Sequence, residues 1–249
     1  MLIVNLLGKK GYFKNTEDAF NLIWQQIEKN DFDTMLNDLN CSVERAKQSF
    51  LLLKAFNTKK LVGSKVFFKN NLGTSTANYF MNFRFKLNVN KKKSIESNFQ
   101  KREDIYKIFK AILRLNRRIN RIVLRDFFTV GAFSNMSQKL GNFMPAVAKT
   151  IYEEYCPVRG NILDMSAGFG GRLVGAMSSK NDYSYTGVDP SVLAIEGLNR
   201  LIGFLNIENR ARVICLPFED SEGELDPEYD FCFTSPPYFA KEIYSNEPT

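Results

Sequence analysis

In ILDMSAGFGGRLVGA, residues 162–176, an acid closes an apolar run and three glycines, Gly168, Gly170 and Gly171, follow before a helical pattern begins. A strand that must turn at once into a helix, with its backbone close to a ligand, needs residues without a β-carbon. The rest of the chain keeps that alternation. The apolar runs NILDM, YTGVD, ARVICL and DFCFT are separated by the helix candidates GRLVGAMSS and SVLAIEGLNRLIGFLN, the second capped by Ser191 after Pro190. Strands alternating with helices predict a parallel, doubly wound sheet. The expected class is α/β, a Rossmann-like sheet of about four strands behind a mainly helical, basic N-terminal region.

That region carries its own patterns. TEDAFNLIWQQIEKN and SVERAKQSFLLLKAF space apolar residues as helices do, each behind a Thr or Ser cap. KVFFKNNLGTSTANYFMNFRFKLNV alternates around Asn-Asn-Leu-Gly, which predicts a hairpin. In KREDIYKIFKAILRLNRRINRIVLRDFF, Ile105, Ile108, Phe109, Ile112, Leu115, Ile119 and Ile122 share one helix face, while Arg114, Arg118, Arg121 and Arg125 stripe the opposite one. Lys54 to Arg125 holds nineteen Lys and Arg and three acids within a chain of net charge +7, so the remainder is acidic. Such asymmetry suggests a polyanion-binding part beside an acidic domain, with the arginine stripe on phosphates; a solvated charged face is the plainer reading. NFMPAVAKTIYEEY reads as a helix with Pro145 in its first turn. The domains expected are 1–135, basic, mainly helical and a candidate for polyanion binding, and 136–249, the α/β unit.

The chain has no histidine, which removes histidine general bases and serine-histidine triads from consideration. Cys41, Cys156, Cys215 and Cys232 lie far apart, so no metal site or disulfide framework is expected. No apolar run approaches the roughly 20 residues of a membrane span, and the opening MLIVNLLGKKGYF lacks a secretory pattern. A cytoplasmic protein is expected, with no membrane partner.

Two ligand classes use an acid-glycine turn. A dinucleotide fingerprint asks for a third glycine where this chain has Leu173, and Asp164 sits awkwardly beside a pyrophosphate. S-adenosylmethionine fits better: Asp164 accepts from its ammonium, and Asp189 at the next strand end accepts from both ribose hydroxyls. Arg172, at the helix start, is a candidate for the cofactor carboxylate or a plain surface residue.

DFCFTSPPYF brings Ser235, Pro236, Pro237 and Tyr238 to the same sheet edge. With the Asp-x-Ser-x-Gly-x-Gly loop (Asp164, Ser166, Gly168, Gly170) and Asp189, this stretch resembles the DNA amino-methyltransferases, in wording close to phage and bacterial members. The resemblance covers roughly residues 140–249. It implies a class I, S-adenosylmethionine-dependent enzyme that methylates the exocyclic amino group of cytosine or adenine in DNA. The Ser235 oxygen and Pro236 carbonyl would accept the two N–H bonds of that amino group, the prolines presenting the carbonyl with no competing donor. Tyr238 would stack on a flipped base. Serine before the prolines tilts toward cytosine without settling it. By the same resemblance Phe143 and Pro145 line the methionine end of the pocket, and Phe218 or Glu219 meets the adenine; packing or loop roles stand as alternatives. Cys232 is expected in the core.

Eleven residues come after Tyr238, where the family continues its sheet. The expectation is a fragment or a fold completed by a second chain, inactive alone. The rival readings are an RNA or protein amino-methyltransferase, and a non-catalytic nucleic-acid-binding protein on a degenerate scaffold.

Overall fold

The computed structural model describes residues 16–29, 31–61, 70–89, 92–114 and 140–236. In chain order its helices are α1 (Thr16–Lys29), α2 (Phe32–Leu39), α3 (Val43–Ala55), α4 (Thr74–Asn78), α5 (Ile95–Phe99), α6 (Arg102–Arg114), α7 (Pro145–Tyr155), α8 (Gly171–Met177) and α9 (Val192–Leu205). Its strands are β1 (Arg159–Asp164), β2 (Asp182–Val188), β3 (Ala211–Ile214) and β4 (Phe231–Cys232). Among the described residues no helix is long and apolar enough to cross a membrane.

The described residues form two compact units. One draws on Met1–Asn40 and Asn82–Leu140, the other on Cys41–Met81 and Gly141–Pro237. In the first, the apolar face of α1 meets that of α6: the Phe20 ring lies 4.7 Å from Tyr106 and 5.8 Å from Phe109. Asp31 caps α2 by accepting from the Thr34 N–H at 2.7 Å. Arg114 ends α6, and Arg118, Arg121 and Arg125 lie outside the described residues.

The second unit holds a parallel sheet in the order β3-β2-β1-β4. Parallel pairing requires crossovers, which α8 and α9 provide; Ser191 caps α9 through the Ala194 N–H and Pro145 opens α7, both as the sequence predicts. The chain runs outward from β1 to β2 and β3, then returns to the other side of β1 as β4. Strand order therefore reverses between β1 and β4, the place where open α/β sheets form a ligand crevice at their carboxyl edge. Buried Ile162, Leu163, Tyr183, Tyr185 and Val188 form the sheet core. Helices α7 and α8 touch at Gly175, where a β-carbon would stand 2.6 Å from the Ala148 Cβ.

Residues 41–81, grouped by sequence with the N-terminal region, fold here with the sheet. Lys149 on α7 is 1% exposed and donates to the carbonyls of Leu53, Lys54 and Phe56 at 2.9, 3.0 and 3.0 Å, capping the C-terminus of α3. Glu153 one turn on accepts from Thr58 Oγ1 at 2.6 Å and Ser179 Oγ at 2.9 Å.

The expected hairpin over 65–89 is corrected. Residues 62–69 lie outside the described residues, and residues 70–89 form α4 and a 3-10 turn at Asn82–Phe85 rather than a second strand. Gly73, at φ +81°, starts α4 against Leu53 and Pro145, with no room for a β-carbon. Thr76, Ala77 and Met81 are then fully buried at helical spacing. The alternation in the sequence comes from apolar residues that helix packing claims.

Candidate functional site

The carboxyl edge of β1 and β2 is built around two acids with different surroundings. Asp164, the last residue of β1, is fully buried. Its Oδ2 accepts from Arg172 Nε at 2.7 Å and from the Tyr185 hydroxyl at 2.5 Å, while Oδ1 accepts from the Ser166 N–H at 3.3 Å. The Arg172 guanidinium, itself 5% exposed, also donates to the Ser166 carbonyl and lies 5.7 Å from the Phe143 ring. Arg172 is thus the internal counter-ion of Asp164. Burial and the neighbouring Asp164 charge push the hydroxyls of Tyr185 and Tyr152 well above the ordinary phenol range, so both are neutral, and Tyr185 donates to Asp164.

Asp189 comes directly after β2 and is half-buried. Its Oδ2 accepts from the Gly168 N–H at 2.8 Å and its Oδ1 from the Ser191 N–H at 3.0 Å. Burial raises its carboxyl above the ordinary range against those two backbone donors. Each oxygen retains a further lone pair.

Between the acids, Gly168 at φ +56° and Gly170 at φ +78° reverse the chain. The loop donates its N–H groups inward. Ala167 gives to the Val188 carbonyl at 2.9 Å, Gly170 to the Ala167 carbonyl at 3.3 Å, and Gly171 to Asn142 Oδ1 at 3.0 Å. Together with Ser166 and Gly168, five N–H groups of the turn already have protein acceptors, and two of those acceptors are carboxylates.

The other predicted residues reach this edge unequally. Phe143 is half-buried and sets its ring edge-on to Phe233 at 5.4 Å, joining the loop to the end of β4. Pro145 is buried and packs against Gly73. Phe218, half-buried, and Glu219, exposed, lie on a 3-10 turn after β3. Just after β4 the Phe233 N–H donates to the Leu163 carbonyl at 3.0 Å, and Ser235 and Pro236 emerge exposed two and three residues later. Cys232, expected in the core, is exposed, because the alternation of β4 assigns Phe231 and Phe233 to the Tyr152 side. Pro237 and Tyr238 lie outside the described residues.

Sequence reasoning missed Tyr185, Tyr152 and Asn142. Tyr185 was discoverable as an inward position of YSYTGV. Tyr152, fully buried on α7, and Thr234 have hydroxyl oxygens with no hydrogen-bond partner among the described residues. Asn142 had no local signal, since its partners lie 27 to 64 residues away.

The donor set tests the ligand classes directly. A polyanion needs N–H donors or cations; this turn presents the half-buried carboxylate of Asp189, its guanidinium is neutralised by the fully buried Asp164, and five of its N–H groups are taken. A ligand bearing hydroxyls fits the lone pairs left on Asp189. Compared with known proteins, the chain matches no family model, no curated protein and no solved structure.

Proposed function

We propose that the chain binds S-adenosylmethionine at the carboxyl edge of β1 and β2 and belongs to an enzyme that methylates the exocyclic amino group of cytosine or adenine in DNA. The observation that carries the reading is the inward donation of the glycine turn. Three of its N–H groups go to Asp164, Asp189 and Asn142 and two to backbone carbonyls, which disfavours a dinucleotide and leaves acceptor lone pairs on Asp189 for hydroxyls. The order β3-β2-β1-β4, reversing beside that turn, agrees with a class I methyltransferase sheet.

The bound cofactor supplies a methyl group activated by a sulfonium. In this chain Ser235 Oγ and the Pro236 carbonyl accept the amino N–H bonds, which favours a tetrahedral nitrogen with an available lone pair. Transfer would release the donor as its neutral thioether, and the amino proton, held by Ser235 Oγ or the Pro236 carbonyl, would pass to solvent. Phe143 excludes water from the β4 side of the turn. Orientation and electrostatics suffice for such a transfer, which needs no histidine and no covalent intermediate. Arg114, Arg118, Arg121 and Arg125 are assigned to DNA phosphates from the sequence pattern.

One observation favours a second reading, a nucleic-acid-binding protein on an inert scaffold: Asp164 and Arg172 satisfy each other without a ligand. Titration with S-adenosylhomocysteine separates the two. The enzyme reading expects binding that Asp189→Ala weakens by at least about tenfold, the loss of charged hydrogen bonds to hydroxyls, and transfer of labelled methyl to duplex DNA, with the base identified after digestion. Absence of both binding and transfer overturns it.

A further inference from the structure

Asn142 stands ahead of α7 and uses its whole side-chain amide on two other elements. Oδ1 accepts from the Gly171 N–H at 3.0 Å, and Nδ2 donates to the Phe169 carbonyl at 2.7 Å and to Asn78 Oδ1, on α4, at 3.0 Å. The fit is close: a β-carbon on Gly171 would stand 2.5 Å from Asn142 Oδ1 and 2.1 Å from the Phe143 carbonyl. The amide therefore grips one acceptor and one donor on either side of Gly170, at φ +78°. A turn this rich in glycine samples many conformations unless something outside it chooses one. Within the loop the Gly170 N–H reaches the Ala167 carbonyl at 3.3 Å, and Asn142 holds the residues on either side of it from outside.

We propose that Asn142 is the positioning residue of the glycine turn, that Asn78 fixes its rotamer, and that affinity for the S-adenosyl ligand depends through this pair on segment 41–81. The inference rests on the cofactor reading above. An amide is required because a carboxylate only accepts: Asn142→Asp keeps the bond from Gly171 and faces the Phe169 carbonyl with like charge.

Titration of the full chain with S-adenosylhomocysteine tests it, using Asn142→Ala, Asn142→Asp, Asn78→Ala and the double alanine variant. Both Asn142 variants are expected to raise Kd by at least about tenfold. Asn78→Ala is expected to raise it about threefold in the wild-type background and not at all in the Asn142→Ala background, since it acts through Asn142. A role in stability alone would lower the melting temperature and leave Kd, measured well below that temperature, unchanged. Should Asn142→Ala fail to fold, Asn78→Ala carries the test together with amide exchange at Gly171. Faster exchange with weaker binding supports the role, and unchanged exchange with unchanged Kd refutes it. Absence of binding by the wild-type chain refutes the cofactor reading and this inference with it. Wild-type binding that the Asn142 variants leave intact refutes the role of Asn142 alone.

Discussion

Replacing Lys149 with methionine keeps a long apolar stem and deletes one ammonium, which makes it a sharp test of whether segment 41–81 is integral to the sheet unit. The ammonium is 1% exposed and holds three carbonyls of the α3 C-terminus at 2.9 to 3.0 Å. Leu53 O keeps a partner in the variant, because the Phe56 N–H donates to it at 3.1 Å. The Lys54 and Phe56 carbonyls lose the ammonium, and a buried acceptor left without a partner costs about 1–3 kcal/mol. Both are only part-buried, so each falls near the bottom of that range and the two together cost about 2 kcal/mol. Removing the charge recovers some desolvation, since burial already holds Lys149 below the ordinary lysine range, and the lost ion pair with Glu153 at 3.7 Å offsets that recovery. The net loss is about 2 kcal/mol. A unit of about 140 residues melts with an entropy near 0.3 kcal/mol per kelvin, so the melting temperature should fall by about 7 °C. Near-UV circular dichroism from Tyr152, Tyr183 and Tyr185 tracks this unit, while Trp24, the single tryptophan, tracks the other by fluorescence. A fall of less than about 3 °C would mean that desolvation of the ammonium cancels its hydrogen bonds, and the argument for α3 as a fixed part of the unit would fail.

Arg172→Met strands the fully buried Asp164 carboxylate and should cost about 3–5 kcal/mol in thermal unfolding, with most of it regained in the Asp164→Asn/Arg172→Met double variant. Gly171→Ala should destabilise strongly, its β-carbon falling 2.1 Å from the Phe143 carbonyl, whereas Gly141→Ala meets nothing within 4 Å and should be near neutral; equal melting temperatures would refute the close approach. Because burial raises the Asp189 carboxyl, the folded chain binds more protons than the unfolded one between the ordinary and the raised value. Stability therefore falls as pH rises through that window, and Asp189→Ala should flatten the dependence of melting temperature on pH.

Much of the fold is legible because its signals are local. The four apolar runs, the caps at Ser42 and Ser191, Pro145 at a helix start and the glycine turn each arise within a few residues, and each is where the sequence predicts it. Segment 65–89 misleads for the opposite reason. Its apolar alternation suits a strand, and only Leu53 and Pro145, brought in from elsewhere against Gly73, make a helix the better burial.

The candidate site divides in the same way. The amino-acid sequence alone determined that two acids end neighbouring strands beside a glycine turn and that a proline corner comes after β4. Tertiary structure decided what those groups do. Arg172, a candidate for a ligand carboxylate, folds back onto Asp164, and Asn142 reaches across 29 residues to hold the turn. A strand end is set by neighbours in sequence. A buried charge or amide takes whichever partner folding brings within hydrogen-bonding distance, because leaving it unpaired costs more than any local preference can offset.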